Sequence, residues 1–397
     1  MFIKRRNFLQ LGSLATASLM MPKFLKAVEI PGAVPPGNKV LVVLQFSGGN
    51  DGLNTIIPMR NDLYYKARPK LGIKKENALT LTDECGIHPA LPILKSLYDE
   101  GQVGIMNSVG YPNPDRSHFR SMDIWQSASD PTQYLNTGWI GRYLDAQCNG
   151  CDKPTQAIEI DDILSLALKG DLQKGIALED PQRLFNNSNE KFFNEITDAH
   201  AHASPPVDYL YKTLSDTLSS AAYIFKESKT HPTTQLYPAT PLGKDFKTIA
   251  SLIMSDINTK IYYVSLGSFD THVNQVNQQT RLFTELNNAL EAFIKDLKMN
   301  HRFEDVVLMT FSEFGRRVAQ NASGGTDHGT ANNMIFISGG LKQKGLLNNL
   351  PDLSDLEEGD LKYSVDFKNV YATFLNKWLA ADDTKILGKK YERMNFI

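Results

Sequence analysis

Six segments of the chain read as strands with almost no polar interruption. They are KVLVVLQF (39–46), QVGIMNSV (102–109), TQAIEI (155–160), KIYYVSLG (260–267), DVVLMTFS (305–312) and NMIFISG (333–339). A strand with one wet face alternates apolar and polar residues, whereas an unbroken β-branched and aromatic run fits a strand covered on both faces. Between the runs the apolar spacing becomes helical. The stretch 280–300 sets Leu282, Phe283, Leu286, Leu290, Phe293 and Leu297 on one face, and 90–101 and 367–380 also read as helices. Strands alternating with helices predict an α/β fold, a three-layer sandwich with a mainly parallel central sheet and helices on both faces.

The segment 165–245 is polar and helical, with no clear buried strand. It reads as a helical insertion in a single domain spanning 39–397, with a separate domain as the alternative. The chain has 397 residues, 42% hydrophobic and 22% charged, enough for a sizeable core. A net charge of −2 argues against a nucleic-acid surface or a polybasic membrane patch.

The first 27 residues differ from the rest. Lys4, Arg5 and Arg6 precede a mildly apolar run from Phe8 to Met21, and no acid occurs before Glu29. This is the layout of an export signal, and the run is too short for a stable membrane span. Arg5-Arg6 followed by Asn7-Phe8-Leu9 resembles a twin-arginine signal, which the twin-arginine export machinery reads as an address. A periplasmic or otherwise exported location is expected. Residues 28–38, rich in Pro and Gly, read as a linker. The three cysteines, Cys85, Cys148 and Cys151, are too few for a disulfide scaffold or a thiolate zinc site, although CNGC leaves room for one local bridge.

In open α/β sheets ligands bind beyond the carboxyl ends of the strands. The first strand is followed by SGGNDGLNT, with Asp51, and the second by GYPNPDRSHFRSMDIW, with Arg116, Ser117, His118 and Arg120. SFDTH follows the 260s strand and carries Asp270 and His272; SEFGRR follows the next and carries Glu313; GGTDHG, with Asp327 and His328, precedes the last. Each motif alone also reads as a turn or a helix cap, Ser117 as an N-cap for instance. Together they place acids, imidazoles and a serine on one edge of one sheet.

That donor set suits a divalent ion such as Zn, Mn, Mg or Ca. Asp51, Asp270, His272, Glu313, Asp327 and His328 are the candidate ligands. Ser117 is a candidate nucleophile or anion-binding group, and His118 a ligand or proton carrier. Arg116 and Arg120 match tetrahedral oxyanions. His88 is a possible lining residue; His200, His202, His231 and His301 read as surface residues. The chemistry points to a phosphate or sulfate ester, with a small anionic ester or a sulfated or phosphorylated glycan as the expected substrate. The alternative is a non-catalytic protein that binds a glycan, an anion or a partner.

The ordered motifs LQFSGGNDGLNTIIP, GIHPAL, PDRSHFRSMDIW, GWIGRYLD, FDTH, SEFGRRVAQN and GGTDHG resemble the domain-of-unknown-function family 1501, whose members carry twin-arginine signals. That family is similar in fold to the alkaline phosphatase and sulfatase superfamily. The resemblance implies that Asp51 occupies the place of the early metal-binding Asp, Ser117 falls near that of the nucleophile, and Asp270, His272 and His328 resemble metal ligands. Asp270 and His272 stand two residues apart where the superfamily has four. Phe314 follows Glu313 where a ligand His usually stands, and this implies a single-metal or rearranged site. The sulfatase nucleophile motif is absent around Ser117.

Overall fold

The computed structural model describes residues 39–147, 155–188 and 205–397, the side chains of 205–216 excepted. The stretches read as an export signal (1–27) and a linker (28–38), with Cys148, Cys151, His200 and His202, lie outside the described residues. The six apolar runs form the central strands: β1 (Val40–Phe46), β2 (Val103–Gly110), β3 (Ala157–Ile160), β5 (Ile261–Leu266), β6 (Val306–Phe311) and β7 (Asn332–Ile337). Short strands β4 (Ile176–Ala177), β8 (Gly345–Leu346) and β9 (Val365–Asp366) complete the sheet. Its order is β8-β2-β7-β6-β1-β5-β3-β4, with β9 pairing on β2.

β1 pairs parallel with β5 and β6, and β3 pairs parallel with β5 and β4. β7 alone is antiparallel, to both β6 and β2. The expected mixed α/β architecture with a mainly parallel sheet is therefore present. β4 lies inside the stretch read as strandless. Two residues, Ile176 and Ala177, are too few to leave a periodic signal, but their pairing to β3 makes them the sheet edge.

Alternation along β1 shows why its run is unbroken. Val40, Val42, Leu44 and Phe46 join one apolar cluster, and Leu41 and Val43 join another on the opposite face. After β1 comes a single helical turn, α1 (Gly52–Thr55). The first cluster packs against α2 (Pro92–Asp99), α6 (Pro241–Met254) and α7 (Gln275–Met299), the last through the six residues expected from helical spacing. The second packs against α3 (His118–Ser127), α4 (Trp139–Gln147) and α8 (Phe367–Thr373). Past α8 the chain continues helically as a wider π-type turn, Phe374–Trp378. α5 (Pro205–Ser228) and a shorter helix, Pro181–Ser188, lie in the 165–245 stretch. Among the described residues no helix is long and apolar enough to cross a membrane.

β3 carries a carboxylate into this sheet. Glu159 is buried, and its Oε2 accepts from the Ser165 backbone N–H at 2.6 Å. Burial pushes its carboxyl up to about 7, against the lowering effect of that hydrogen bond. A carboxyl raised in the folded state stabilises the fold below the unfolded-state pKa, and that contribution is lost as pH rises through the folded value. Stability is therefore expected to fall between about pH 4.5 and pH 7, by an amount on the order of 3 kcal/mol. Thermal melts of Glu159→Gln against the parent protein should show that part of the slope removed.

Candidate metal centre

The parallel strands β1, β2, β5 and β6 deliver their following loops to one edge of the sheet. β7 runs the other way, so the residues before it reach the same edge. This reversal brings 326–331 beside the loops after β1, β5 and β6. A short antiparallel ladder fixes the approach: Gly315 N–H donates to Thr330 at 2.7 Å, Arg317 N–H donates to Asp327 at 3.0 Å, and Arg316 bridges His328.

Arg316 organises the edge from below. It is 2% exposed, and its guanidinium donates to the carbonyls of Gly49 (2.7 Å), Thr326 (2.9 Å), Gly48 (2.5 Å) and Phe269 (2.9 Å). It also donates to Asp270 Oδ1 at 2.6 Å. Burial pushes the Asp270 carboxyl up, but the Arg316 hydrogen bond and charge, with His328 and His272, outweigh it and hold it below the usual carboxylate value. Gly48 and Gly49 make the close approach possible. Both have positive φ, 116° and 78°; a Cβ on Gly48 would lie 2.5 Å from the Asp270 nitrogen, and one on Gly49 would strike the Phe314 ring.

Three imidazoles surround Asp270. His272 Nε2 is 3.1 Å and His328 Nε2 3.2 Å from Oδ1, and His118 Nε2 is 3.6 Å from Oδ2. The two Nε2 atoms of His272 and His328 are 3.0 Å apart. Each ring is held at Nδ1 from behind: His118 by Glu313 Oε1 (3.0 Å), His272 by Asp327 Oδ1 (3.0 Å), His328 by the Arg116 carbonyl (2.8 Å). Carboxylates and carbonyls only accept, so each Nδ1 carries a proton and each Nε2 is left to meet the Asp270 side.

Nε2 atoms this close to one another and to a carboxylate need a proton or a metal cation among them. Donors around an ion with bonds of about 2.0–2.1 Å stand roughly 3.3 Å apart in a tetrahedron. The separations of 3.0–3.2 Å among His272, His328 and Asp270 match that spacing. His118, Asp270 and His328 each offer an atom within 4.8 Å of the others. Acceptors behind ligating imidazoles are the usual means of fixing tautomer and aim. The residues thus fit a single divalent ion. The Glu313 hydrogen bond also raises the His118 pKa, against the effect of burial. The Asn321 and His272 hydrogen bonds hold Asp327 below its ordinary value.

The remaining candidates are placed differently. Glu313 and Asp327 stand behind imidazoles rather than toward the centre, and fully buried Glu313 also accepts from Gly48 N–H at 2.7 Å. Asp51 is not brought into the cluster. Its Oδ1 caps Gly52–Thr55 through Leu53 N–H at 3.1 Å, and its Oδ2 pairs with buried Arg68 at 2.6 Å and accepts from Gln275. Arg116 pairs with Asp360 at 2.5 Å, and Arg120 donates to the carbonyls of Asp130, Pro131 and Gln133. Both arginines thus have partners outside the Asp270 cluster. His88 is a core residue packed edge-on to Phe283, and burial lowers its pKa to about 4.

Ser117 is exposed at the N-cap of α3, and its side chain makes no capping bond. Phe314 lies 4.9 Å from the His118 ring and 4.6 Å from the His328 ring, centroid to centroid, and packs against both imidazoles. Arg316 and Arg68 were missed by sequence reasoning. The only hint of the first was its place just after Glu313 in SEFGRR; nothing near Arg68 marks it as buried.

The family described as "Protein of unknown function (DUF1501)" matches residues 100–393. No curated protein matches the chain by sequence. Among solved structures, the chain is similar to the PsFucS1 sulfatase from Pseudoalteromonas sp. at 11% identity and TM-score 0.41, covering 90% of this chain and 70% of that one. It is similar to the C-terminal periplasmic domain of EcEptC from Escherichia coli at 10% identity and TM-score 0.40, covering 89% and 88%. A protein in the alkaline phosphatase superfamily from Vibrio parahaemolyticus is similar at 10% identity and TM-score 0.37, covering 88% and 69%. At these scores the likeness bears on no individual residue or reaction.

Replacing Arg316 by Met should cost about 3–5 kcal/mol, because four buried carbonyls and a carboxylate lose their donor together. Urea unfolding measures this. A loss below about 1 kcal/mol would mean that the loops hold their places without the guanidinium.

Proposed function

The chain belongs to the DUF1501 family, and from that premise we propose that it is an exported, metal-dependent hydrolase acting on a phosphate or sulfate ester. The observation that carries this reading is the set of three imidazoles, each backed at Nδ1 and turned at Nε2 on Asp270. His118, His272, His328 and Asp270 would hold the ion. A divalent ion so placed lowers the pKa of a hydroxyl or water and polarises a phosphoryl or sulfuryl oxygen.

The chain's own groups supply the rest. Glu313 and Asp327 keep the proton on the Nδ1 atoms of His118 and His272, and the Arg116 carbonyl does so for His328. Ser117 is the candidate nucleophile. The N–H groups that open α3, left uncapped by the Ser117 side chain, are available to the anionic oxygens of the ester. Arg316 compensates Asp270 from below, as Arg68 does Asp51, so no second divalent ion is needed to balance those carboxylates. One ion per chain is expected. The N-terminal twin-arginine layout supports export to the periplasm or beyond.

The engagement of Arg116 and Arg120 by other partners favours a second reading, a metal-containing protein that binds an anion, a glycan or a partner without turning it over. A panel of aryl phosphates and sulfates separates the two. Elemental analysis of natively purified protein should find about one divalent ion per chain, and chelation should lower the melting temperature. Asp270→Ala and Ser117→Ala should each reduce ester turnover at least roughly 10³-fold. Protein with no divalent ion, or variants that turn over unchanged, would defeat the assignment.

A further inference from the structure

A two-strand hairpin lies beside the centre, Leu356–Glu357 against Asp360–Leu361. Its turn residues Glu358 and Gly359 both have positive φ, 51° and 86°, as a tight two-residue hairpin turn requires. The Asp360 side chain is 1% exposed, yet it carries a carboxylate. Its oxygens lie 2.5 Å from the Arg116 guanidinium and 3.8 Å from that of Arg317. A carboxylate this buried must keep a cationic partner.

What the hairpin grips is the frame around His328. The Arg116 carbonyl accepts from His328 Nδ1 at 2.8 Å. Arg317 N–H donates to the Asp327 carbonyl, next to His328, at 3.0 Å. Two residues past His328, Thr330 Oγ1 donates to the Leu361 carbonyl at 2.5 Å. Arg116 itself sits in the loop from β2 to α3, and among the described residues its guanidinium is otherwise paired only with exposed Glu358, at 3.4 Å. Without Asp360 no buried group among the described residues pairs with that guanidinium, and the Arg116 carbonyl is no longer fixed opposite the imidazole.

We infer that Asp360 is a positioning residue: by gripping Arg116 it keeps that residue's carbonyl on His328 Nδ1, and so sets the tautomer and aim of His328. The same grip fixes the residue preceding Ser117. The inference rests on the metal reading above only for its affinity arm.

The test has two arms. In metal-free protein labelled with ¹⁵N histidine, NMR reports the His328 tautomer directly. The parent should show Nδ1–H, and Asp360→Asn a mixture of tautomers. In the second arm, Zn²⁺ or Mn²⁺ titration of Asp360→Asn should show affinity lower by roughly 10–100-fold. Arg116→Lys keeps a cation for Asp360 and should retain the parent behaviour; Arg116→Ala should lose it, and stands in should Asp360→Asn fail to fold.

Asp383→Asn is the control. It also removes a buried carboxylate from an arginine, Arg393 at 2.7 Å, but away from the centre, and should leave both readouts unchanged. An unaltered His328 tautomer in Asp360→Asn overturns the inference whatever the metal data show. A parent protein that takes up no ion defeats the hydrolase reading instead, and the tautomer arm still decides for Asp360.

Discussion

The Arg316 guanidinium is the interaction on which the centre depends. It is buried, it ties the loop after β1 to the loop after β5 and the approach to β7, and it meets Asp270 at 2.6 Å. A buried cation alone would be costly. Here four carbonyls and one carboxylate compensate it, and in exchange they are fixed relative to one another. Gly48 and Gly49 are needed because no Cβ fits where the carbonyl-bearing turn meets Phe269, Asp270 and Phe314.

Around that base the polar groups form two rings. The inner ring is Asp270 with three Nε2 atoms; the outer ring is Glu313, Asp327 and the Arg116 carbonyl. The outer ring settles which nitrogen of each imidazole is left free, and it draws on two segments, the β6–β7 connection and the loop from β2 to α3. Donor type alone does not separate ligand from support in such an arrangement, since carboxylates stand in both rings.

The sheet was largely legible in the sequence because burial on both faces leaves an unbroken apolar run, as in β1, and helical spacing marked the buried face of α7. The edge at which the motifs meet was legible through the same runs. What each motif does there was not. Asp51 reads like Asp270 in sequence and each meets a buried arginine, but Asp51 is completed by Leu53 N–H and Gln275, whereas three imidazoles surround Asp270. Arg116 and Arg120 read as oxyanion clamps because arginine chemistry allows it, but their partners Asp360 and the Asp130–Gln133 carbonyls are assigned by tertiary packing. His118 was given as ligand or proton carrier; it too is backed at Nδ1 and faces Asp270, but at Oδ2 and 3.6 Å.

The reversal of β7 has a further consequence. A crossover between parallel strands needs a long excursion across a sheet face, but β6 and β7 are joined by a folded-back segment that pairs with itself, Gly315 to Thr330 and Arg317 to Asp327. Glu313, Phe314, Arg316, Asp327 and His328 all ride on it. Much of the chemistry is therefore inherited as one cassette. A change in the length of that segment would shift its supports, its cation and its imidazole together, whereas Asp270, His272 and His118 arrive independently. Divergence within this fold has a ready place to act without disturbing the sheet.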